Sequence, residues 1–527
     1  MLSTAPFALA AGATTIDAAL LAPLADGDTN AKLQTVMQLG QIPDRRAAQI
    51  LDALNNQHLY ATQQGKIIVV AADNTAIDAA SGEATSLPAD ADTIIINNRI
   101  RKGITGALAV SQLFSEDSKV RLAAAKRLQQ SGEVSTLAHI TKALSQETDP
   151  EVRNSLEIAQ ASLELKSVDP TARIHAVETL GNTNSGAFRS ILSGMLSKDG
   201  NGAYAEEDVA VREAATIALA RIDRHLKKIE WAGNLFYGVS LGSVLLLAAL
   251  GLAITFGLMG VINMAHGELL MIGAYVTYLI QLFFRQYAPA WIDWYVIAAL
   301  PMAFLVTAAV GMALERTVIR WLYGRPLETL LATWGISLIL MQAVRSLFGA
   351  QNVEVSNPSW MTGGMTLMGG LVLSYNRLAI IVFALLVVFF VWLLLNHTRL
   401  GLFVRAITQN RRMADCVGVP TGRIDMLAFG LGSGIAGLGG VALSQLGNVG
   451  PDLGRGYIVD SFMVVVLGGV GQLAGTVIAA LGLGSVNKFL EPWTGAVMAK
   501  ITILVLIVLV VQKRPQGLFA PRGRSVE

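Results

Sequence analysis

The most constraining feature of this sequence is an apolar stretch, residues 256–276, that glycines and three polar residues interrupt. It reads FGLMGVINMAHGELLMIGAYV, and the polar residues are Asn263, His266 and Glu268. An amide, an imidazole and a carboxylate each cost free energy in hydrocarbon unless they face protein or a water-filled cavity. An uninterrupted spanning helix gains nothing from these polar side chains. The stretch therefore predicts a broken membrane helix with a function.

The same pattern returns much later in the chain. Residues 469–482 read GVGQLAGTVIAALG, against GVINMAHGELLMIG at residues 260–273. The alignment superposes glycines and carboxamides: Gly260 on Gly469, Asn263 on Gln472 and Gly273 on Gly482. Gly-interrupted apolar segments at corresponding places in two halves are a sequence sign of a transport path. The sequence therefore predicts duplicated broken-helix segments.

Composition divides the chain into two parts. Hydrophobic residues make up 53% of the 527 residues, and the mean hydropathy is +0.51, which is not the composition of a soluble protein. Residues before Glu230 are polar and charged, whereas the rest carries long charge-poor runs. The net charge is +2, and the basic residues stand at the ends of apolar runs, which argues against nucleic-acid binding.

These observations predict an all-α protein in which a mostly helical extramembrane domain precedes a polytopic membrane domain. The first 26 residues are rich in Ala and Leu but lack the positive start and the unbroken apolar run of a secretory signal. A degenerate export signal and a disordered arm are both open for them. The predicted segments are that arm at 1–26, an extracytoplasmic domain at 27–228, a transmembrane domain at 229–518 and a cytoplasmic tail at 519–527.

The first part of the extramembrane domain mixes two patterns. Apolar residues at helical spacing between Asn30 and Leu59 predict two helices, one on each side of Pro43. The β-branched runs KIIVV at 66–70 and TIIINN at 93–98 then predict a small hairpin-like β insert.

The second part repeats a short motif that opens a helical pattern each time: DSKVR at 117–121, DPEVR at 149–153, DPTAR at 169–173 and DVAVR at 208–212. The Asp is expected to cap the helix, and a following Pro suits the first turn. The Arg is expected to reach back to the Asp of its own or a neighbouring repeat. The pattern resembles HEAT-like repeats, although its spacing is irregular and an unrelated bundle of capped helices is the alternative.

Apolar runs long enough to cross a bilayer follow Trp231. The predicted spans are 235–255, 263–284, 294–315, 327–348, 378–395, 426–446 and 496–511, with a further broken pair at 459–490. Clusters of Arg and Lys lie near residues 316–325, 399–423 and 513–524. The positive-inside rule makes these regions cytoplasmic, which places the loop at 349–376 and the N-terminal domain outside.

Motifs for enzymatic chemistry are missing from the sequence. It has no G-x-x-x-x-G-K-[ST], no metal-ligand spacing among its six histidines and a single cysteine, Cys416. A G-x-G-x-x-G at Gly432, Gly434 and Gly437 lies inside an apolar run, where it indicates close helix packing and not dinucleotide binding. We therefore predict a protein that is not an enzyme, with no catalytic and no metal-binding residues.

The interrupted segments supply the candidate pathway residues: Asn263, His266, Gly267, Glu268, Gln472 and Gly475. His266 and Glu268 could form a proton relay, contact the substrate or simply fix the helix break. Carboxamides offer donors and acceptors without charge, which suits a small neutral polar solute. Glu315, next to Arg316, is expected to form an ion pair at a helix end.

The basic segment 398–423 lies between two predicted spans. It is amphipathic and predicts a membrane-parallel helix that ends at a glycine. The alternative is a loop that only sets the orientation of the chain.

Three motifs together resemble the permease family of branched-chain amino acid ABC importers: GLAITFGLMGVINMAHGELLMIGAY, VRAITQNRRMADCVGVPTGR and FMVVVLGGVGQLAGTVIAALG. The N-terminal extension, with NNRIR at 97–101, is instead similar to the first permease subunits of urea and short-chain amide importers. The resemblance implies alternating access in a bacterial inner membrane, with the N-terminal domain periplasmic and the C-terminus cytoplasmic.

The resemblance also implies partners: a second permease subunit, two cytoplasmic ATPases that hydrolyse the ATP, a periplasmic solute-binding protein and the bilayer. This chain itself would bind no cofactor. The cytoplasmic loop would carry the helix that couples to the ATPases, a role that falls on Arg405, Asn410, Met413, Ala414 and Gly418. Arg411 and Arg412 depart from the family pattern, in which an acidic residue is common.

The sequence thus predicts a permease subunit for urea or short-chain amides. A branched-chain amino acid permease is the first alternative. A membrane-anchored scaffold is the second, and the duplicated broken segments argue against it because an anchor needs only one intact span.

Overall fold

The computed structural model describes residues 16–42, 44–63, 65–70, 75–88, 91–131, 134–367 and 370–519. The chain divides into two compact units, Met1–Leu226 and Lys227–Glu527. Of the expected arm at 1–26, residues 1–15 lie outside the described residues, and Ala18–Asp26 form a helix in which Leu21 and Leu24 are buried. Residues 520–527 of the expected tail also lie outside the described residues.

Helices make up most of the described residues. In chain order they are α1 Ala18–Asp26, α2 Thr29–Gln41, α3 Arg45–Asn55, α4 Asn98–Gln112, α5 Ser118–Ser131, α6 Leu137–Gln146, α7 Pro150–Glu164, α8 Pro170–Asn182, α9 Arg189–Met195, α10 Val209–Met259, α11 His266–Tyr287, α12 Tyr295–Thr317, α13 Pro326–Phe348, α14 Tyr375–His397, α15 Arg399–Gln409, α16 Arg411–Cys416, α17 Thr421–Ser444, α18 Leu453–Gly468, α19 Leu473–Thr494 and α20 Ala496–Lys513. The strands are β1 Leu59–Ala61, β2 Ile67–Val70, β3 Ala76–Asp78, β4 Ala84–Thr85, β5 Asp92–Thr93, β6 Gly364–Leu367 and β7 Leu371–Ser374.

The two helices expected around Pro43 are confirmed as α2 and α3. Each begins at an aspartate whose carboxylate accepts a first-turn amide, Asp28 from Ala31 N at 2.7 Å and Asp44 from Arg46 N at 2.9 Å. Their apolar faces pack with α4 and strands β1 and β2 in one core that includes Val36, Leu39, Ile50, Leu51, Leu59, Ile67 and Ile104.

The β insert is an antiparallel five-stranded sheet with the order β4-β3-β2-β1-β5. The KIIVV run forms β2, but its partners are β1 and β3, so the expected hairpin between the two β-branched runs is wrong. The reason is β1, which lies before both runs in sequence and occupies the place between them. Only the start of the second run pairs, through β5 and through Ile94 N, which donates to Leu59 O at 3.0 Å.

The four repeated motifs cap helices as predicted. The carboxylates of Asp117, Asp149, Asp169 and Asp208 each accept the amide two residues later, at 2.8–3.0 Å. Their arginines, however, do not bind these aspartates, contrary to the expectation. Arg121 and Arg173 instead donate to carbonyl oxygens that precede their own helix and to a glutamate that precedes the next repeat.

Those glutamates explain the difference. The Glu147 carboxylate accepts from Arg121 at 2.8 and 2.9 Å and from Asp149 N at 3.0 Å. Glu206 does the same for Arg173 at 2.9 Å and for Asp208 N at 3.1 Å. Each glutamate thereby ties one helix start to the next, and its carboxylate stands closer to the guanidinium than the capping Asp does. The HEAT-like interpretation of the repeats stays a prediction.

The second unit is a polytopic helical membrane protein, as predicted. Among the described residues, eight helical stretches are long and apolar enough to cross a membrane: Val209–Gly257, His266–Tyr287, Pro289–Thr317, Pro326–Phe348, Tyr375–His397, Thr421–Ser444, Leu473–Thr494 and Ala496–Lys513. One predicted span must be corrected at its start, because Asn263 precedes α11. The expected broken pair at 459–490 corresponds to α18 and α19.

Glycines set the helix crossings of this unit. A Cβ placed on Gly273 would lie 2.2 Å from the Gly437 carbonyl oxygen, and one on Gly251 would lie 2.3 Å from that of Gly432. A Cβ on Gly434 would lie 2.5 Å from the ring of Phe304. The packing interpretation of the G-x-G-x-x-G motif is therefore confirmed. Small residues let membrane helices approach closely enough for dispersion and weak polar contacts to hold them together.

The crossings generate a first prediction, on a pair of glycines that the duplication superposes. Gly273→Ala should destabilise the membrane unit by about 1–3 kcal/mol, the usual cost of overpacking, because backbone atoms occupy the space of the new methyl group. A Cβ placed on Gly482 would meet nothing within 4 Å, so Gly482→Ala is the matched control. Its expected effect is neutral or a gain of up to about 1 kcal/mol from helix propensity. The melting temperatures of the purified chains in detergent measure both, and equal shifts would contradict the assignment.

A second prediction concerns Glu147. Its hydrogen bonds with Arg121 hold the pKa of the carboxyl below its usual value of 4.5. A lowered folded-state pKa gives stability that is present above the unfolded value and is lost as the pH falls through the folded one. Glu147→Gln should therefore speed amide exchange in α7 by about tenfold at pH 7, the effect of losing one charged hydrogen bond.

The difference in exchange rate from wild type should begin to shrink as the pH falls below 4.5 and should vanish below the lowered folded-state pKa, where the wild-type carboxyl also becomes neutral. Hydrogen-exchange mass spectrometry of the full chain measures this. Glu157→Gln is the control, since that carboxyl lies on the exposed side of the same helix. A Glu147 effect that does not depend on pH would contradict the ion-pair account.

Candidate functional site

The helix breaks predicted from the sequence are present at both places. After α10 ends at Met259, Gly260 adopts φ +65°, and α11 begins only at His266. After α18 ends at Gly468, Gly469 adopts φ +98°, and α19 begins at Leu473. Positive φ is readily accessible only to glycine, and the sequence alignment superposes these two residues. The duplication therefore extends to the backbone of the breaks.

The two breaks adjoin each other. A Cβ placed on Gly257, near the end of α10, would lie 2.5 Å from the Cα of Gly471 in the second break. The described residues nevertheless show no hydrogen bond between the carboxamides of Asn263 and Gln472. Asn263 is buried, whereas Gln472 is half-buried just before α19.

The first break is held by hydrogen bonds to its own backbone. The Asn263 side-chain oxygen accepts from Ala265 N at 3.0 Å. On the neighbouring helix α13, the Thr333 hydroxyl accepts from Met264 N at 3.1 Å and lies 3.3 Å from Ile262 O. A break inside a membrane frees amides and carbonyls that no water satisfies, so such partners are required.

Glu268 lies in the first turn of α11 and is 2% exposed. Its Oε1 accepts from the Ser337 hydroxyl at 2.9 Å. Ser337 follows Thr333 by one helical turn, so one face of α13 serves both the break and the carboxylate. Sequence reasoning missed these two hydroxyls. Their spacing of four residues in an otherwise apolar span was the available signal.

His266 is completely buried, and its Nε2 lies 2.8 Å from Ala248 O on α10. A carbonyl oxygen can only accept, so Nε2 carries the hydrogen. The ring also lies against Gly251, where a Cβ would meet its Cε1 at 2.9 Å. The imidazole therefore holds the start of α11 against α10. This contact corresponds to the helix-fixing alternative, and a role in the pathway stays a prediction.

Three polar atoms of this layer have no hydrogen-bond partner among the described residues: Asn263 Nδ2, His266 Nδ1 and Glu268 Oε2. All three side chains are at most 2% exposed. A buried polar group without a partner costs free energy, so each is a candidate for contact with water or solute. Together they offer an amide donor and two acceptors within six residues of chain.

The two remaining candidate pathway residues are glycines at helix contacts. A Cβ on Gly267 would lie 2.5 Å from Gly454 O, and one on Gly475 would lie 1.9 Å from Gly468 O. Their observed role is to let α18 approach α11 and α19. Whether they also line the pathway stays a prediction.

The segment between α14 and α17 is a pair of helices, so the expectation of a single helix is wrong, and its orientation parallel to the membrane stays a prediction. Asn410 ends α15, and its side chain caps α16 by accepting from Met413 N at 3.0 Å. Gly418, at φ +87°, follows α16 as expected. Ala414 is buried, Met413 is exposed, and Arg405 donates to Leu395 O in the last turn of α14.

The expected ion pair of Glu315 with Arg316 is also wrong. Glu315 is completely buried, and its Oε1 accepts from the Tyr323 hydroxyl at 2.9 Å. Adjacent residues on a helix point in different directions, so Arg316 does not share the buried face of Glu315.

Comparison with known proteins agrees with this architecture. The family described as branched-chain amino acid transport system / permease component matches residues 234–511. The chain belongs to this family. Its polytopic membrane unit is thus an ABC permease of the branched-chain amino acid type.

Relatives of the permease have transport names and are not enzymes, in agreement with the sequence prediction. The chain is 30% identical over 291 residues to the high-affinity branched-chain amino acid transport system permease protein BraD of Pseudomonas aeruginosa, which covers 54% of this chain and 94% of BraD. It is 28% identical over 292 residues to LivH of Escherichia coli, with the same coverage of both chains. The ribose import permease protein RbsC of Escherichia coli matches 134 residues at 31% identity, which covers 23% of this chain and 42% of RbsC.

A third prediction follows from the break in this permease. Thr333→Val keeps the shape of the side chain but removes the hydroxyl that serves Met264 N and Ile262 O. The expected loss in the free energy of unfolding is about 1–2 kcal/mol, because the part-buried Met264 amide is left unsatisfied. Thr333→Ser retains the hydroxyl and is the matched control. Melting temperatures in detergent measure both variants, and equal stability of Thr333→Val and wild type would contradict the assignment.

Proposed function

We propose that this chain is the transmembrane permease subunit of an ABC importer for urea or short-chain amides. The observation that supports this solute class is the chemistry of the layer at the first break. Its available atoms are an amide donor and two acceptors, and no described Lys or Arg hydrogen-bonds to Asn263, Glu268 or Thr333. A neutral amide needs both donors and acceptors and no countercharge.

Glu268 strengthens this argument. The start of a helix carries a partial positive charge that would suit the carboxylate of an amino acid. In α11 the Glu268 side chain already occupies the first turn, so the carboxylate of a solute would compete with it for that place. The layer therefore favours an uncharged solute.

Branched-chain amino acids are the second candidate. The names of BraD and LivH favour them directly. The start of α19 also favours them, because its first turn contains no acidic residue and could accept a carboxylate. Against them stands the length of the chain, since the match covers 94% of BraD but only 54% of this protein. BraD has few residues outside the match, so it has almost nothing that could correspond to the extension before residue 234 of this chain.

The assembly that we propose contains this chain, a second permease subunit, two cytoplasmic ATPases that hydrolyse the ATP and a periplasmic solute-binding protein. It lies in the bacterial inner membrane, with the N-terminal unit periplasmic and the C-terminus cytoplasmic. The N-terminal unit is a HEAT-like domain, for which the repeated ties by Glu147 and Glu206 are the supporting observation. The chain binds no cofactor and no nucleic acid.

Coupling to the ATPases is proposed for the helix pair α15 and α16. Met413 and Val417 are 58% and 73% exposed, which leaves an apolar surface for a partner. Asn410 and Gly418 define the two ends of α16, and Ala414 anchors its other side in the protein. Arg405 fixes α15 to the end of α14.

The fourth prediction tests the solute. Uptake of labelled urea at low concentration is compared between cells with and without this chain, with excess leucine as competitor. We expect energy-dependent urea uptake to be lost with the chain, and leucine not to compete for it. Loss of leucine uptake with unchanged urea uptake would establish the second candidate instead.

Variants of Asn263 then test the layer itself. Asn263→Leu removes the free amide and should lower uptake more than it lowers the amount of protein in the membrane. Asn357→Leu replaces the same residue type in the loop that follows α13 and is the matched control. Equal uptake per molecule in the two variants would contradict a role for the layer in transport.

A further inference from the structure

Four polar side chains of the membrane unit form a connected group that the proposed pathway does not use. We refer to Arg411, Asp425, Tyr323 and Glu315 as the Arg411 cluster. They come from four elements: the start of α16, the first turns of α17, the segment just after the short 3₁₀ turn Ile319–Leu322, and the end of α12. Their contacts run from the loop toward the first helix break.

The first contact joins the loop to α17. The Arg411 guanidinium donates to both carboxylate oxygens of Asp425, whose side chain is 3% exposed. The same guanidinium lies 4.7 Å from the centre of the Tyr323 ring. A planar guanidinium can make a bidentate ion pair and stack on an aromatic ring at once, which fixes its position and its orientation.

The second contact joins Tyr323 to the break. Its hydroxyl donates to Glu315 at 2.9 Å and lies 3.5 Å from the sulfur of Met259. Met259 is the last residue of α10, and it packs with Tyr323 against the buried side chains of Val261, Ile319 and Phe429. Val261 itself belongs to the break. The cluster is therefore a continuous chain of contacts from α16 to residues 259–261.

Burial restricts the independent movement of the residues in this series of contacts. If α16 moved without α17, Asp425 would be left as an uncompensated buried charge, which is strongly unfavourable. The same movement would take the guanidinium off the Tyr323 ring. Arg412, the next residue, is exposed and has no such partners among the described residues. Of the two arginines, only Arg411 is bound so that its displacement would require buried side chains to move with it.

We propose that Arg411 is a positioning residue that transmits movement of α16 to the helix break at 260–265. The inference rests on the proposed function, since it takes α15 and α16 as the site of contact with the ATPases. It goes beyond that function by naming the joint between the loop and the pathway. It also gives a use to Arg411, one of the two arginines that depart from the family pattern.

The experiment measures the break directly and uses no solute, so its outcome does not depend on which solute is transported. In the assembled complex, Cys416→Ser removes the only cysteine of this chain and Met264→Cys places a reporter in the break, and the labelling of this chain is followed. The rate of reaction with a small water-soluble thiosulfonate is compared without nucleotide and with ATP and vanadate. In this parent we expect the two rates to differ by about fivefold or more, the range of ordinary allosteric coupling.

Arg411→Ala should bring the ratio of the two rates close to one while the ATPase subunits still co-purify. Arg412→Ala is the matched control and should keep the parent ratio. Tyr323→Phe retains the stacking but removes the hydroxyl, and should lower the ratio in part. If Arg411→Ala does not assemble, the pair Arg411→Ala and Asp425→Asn removes both charges and takes its place.

Three results would overturn the proposal. The first is a parent in which the reporter does not respond to nucleotide. The second is an unchanged ratio in Arg411→Ala, or in the double variant. The third is an equal loss in Arg412→Ala, which would show that only the charge of the loop matters. If urea uptake does not depend on the chain but the ratio of labelling rates still depends on Arg411, the proposed solute is wrong and the role of Arg411 stands.

Discussion

Backbone hydrogen bonding inside the membrane is the constraint on which the rest of this structure depends. A chain that interrupts a spanning helix must find partners for the amides and carbonyls it frees, because hydrocarbon offers none. At the first break these partners are the Asn263 side chain and the Thr333 hydroxyl of α13. The same face of α13 then holds Glu268 through Ser337. The polar residues that would be unfavourable in hydrocarbon thus stabilise the break by supplying its hydrogen-bond partners.

Close packing supplies the second condition. Glycines let α10, α11, α17, α18 and α19 approach until backbone touches backbone, and Gly257 and Gly471 bring the two breaks side by side. Such contacts replace the hydrophobic effect, which does not act between helices in lipid. Among the buried polar atoms without partners in the described residues, the three at the first break, on Asn263, His266 and Glu268, carry the transport proposal.

Sequence patterns predicted the features that depend on local chemistry. The glycine breaks, the spans and the aspartate caps follow from periodicity, turn chemistry and single-residue conformational limits. Features that depend on which elements meet in space were missed. Nothing in the local sequence of Glu315 indicates that Tyr323 covers it, nor that β1 separates the two β-branched runs. The partners of Arg121 and Arg173 were wrong for the same reason, since Glu147 and Glu206 become neighbours only when helices stack.

The central claim is that the adjoining breaks carry the solute through the membrane. Experimental structures of the assembled complex, without nucleotide and trapped with ATP and vanadate, test it most directly. The account predicts a water-accessible passage that reaches Asn263 and Glu268 in one state and is closed in the other. A passage that avoids both breaks, with these side chains enclosed by protein in every state, would contradict it.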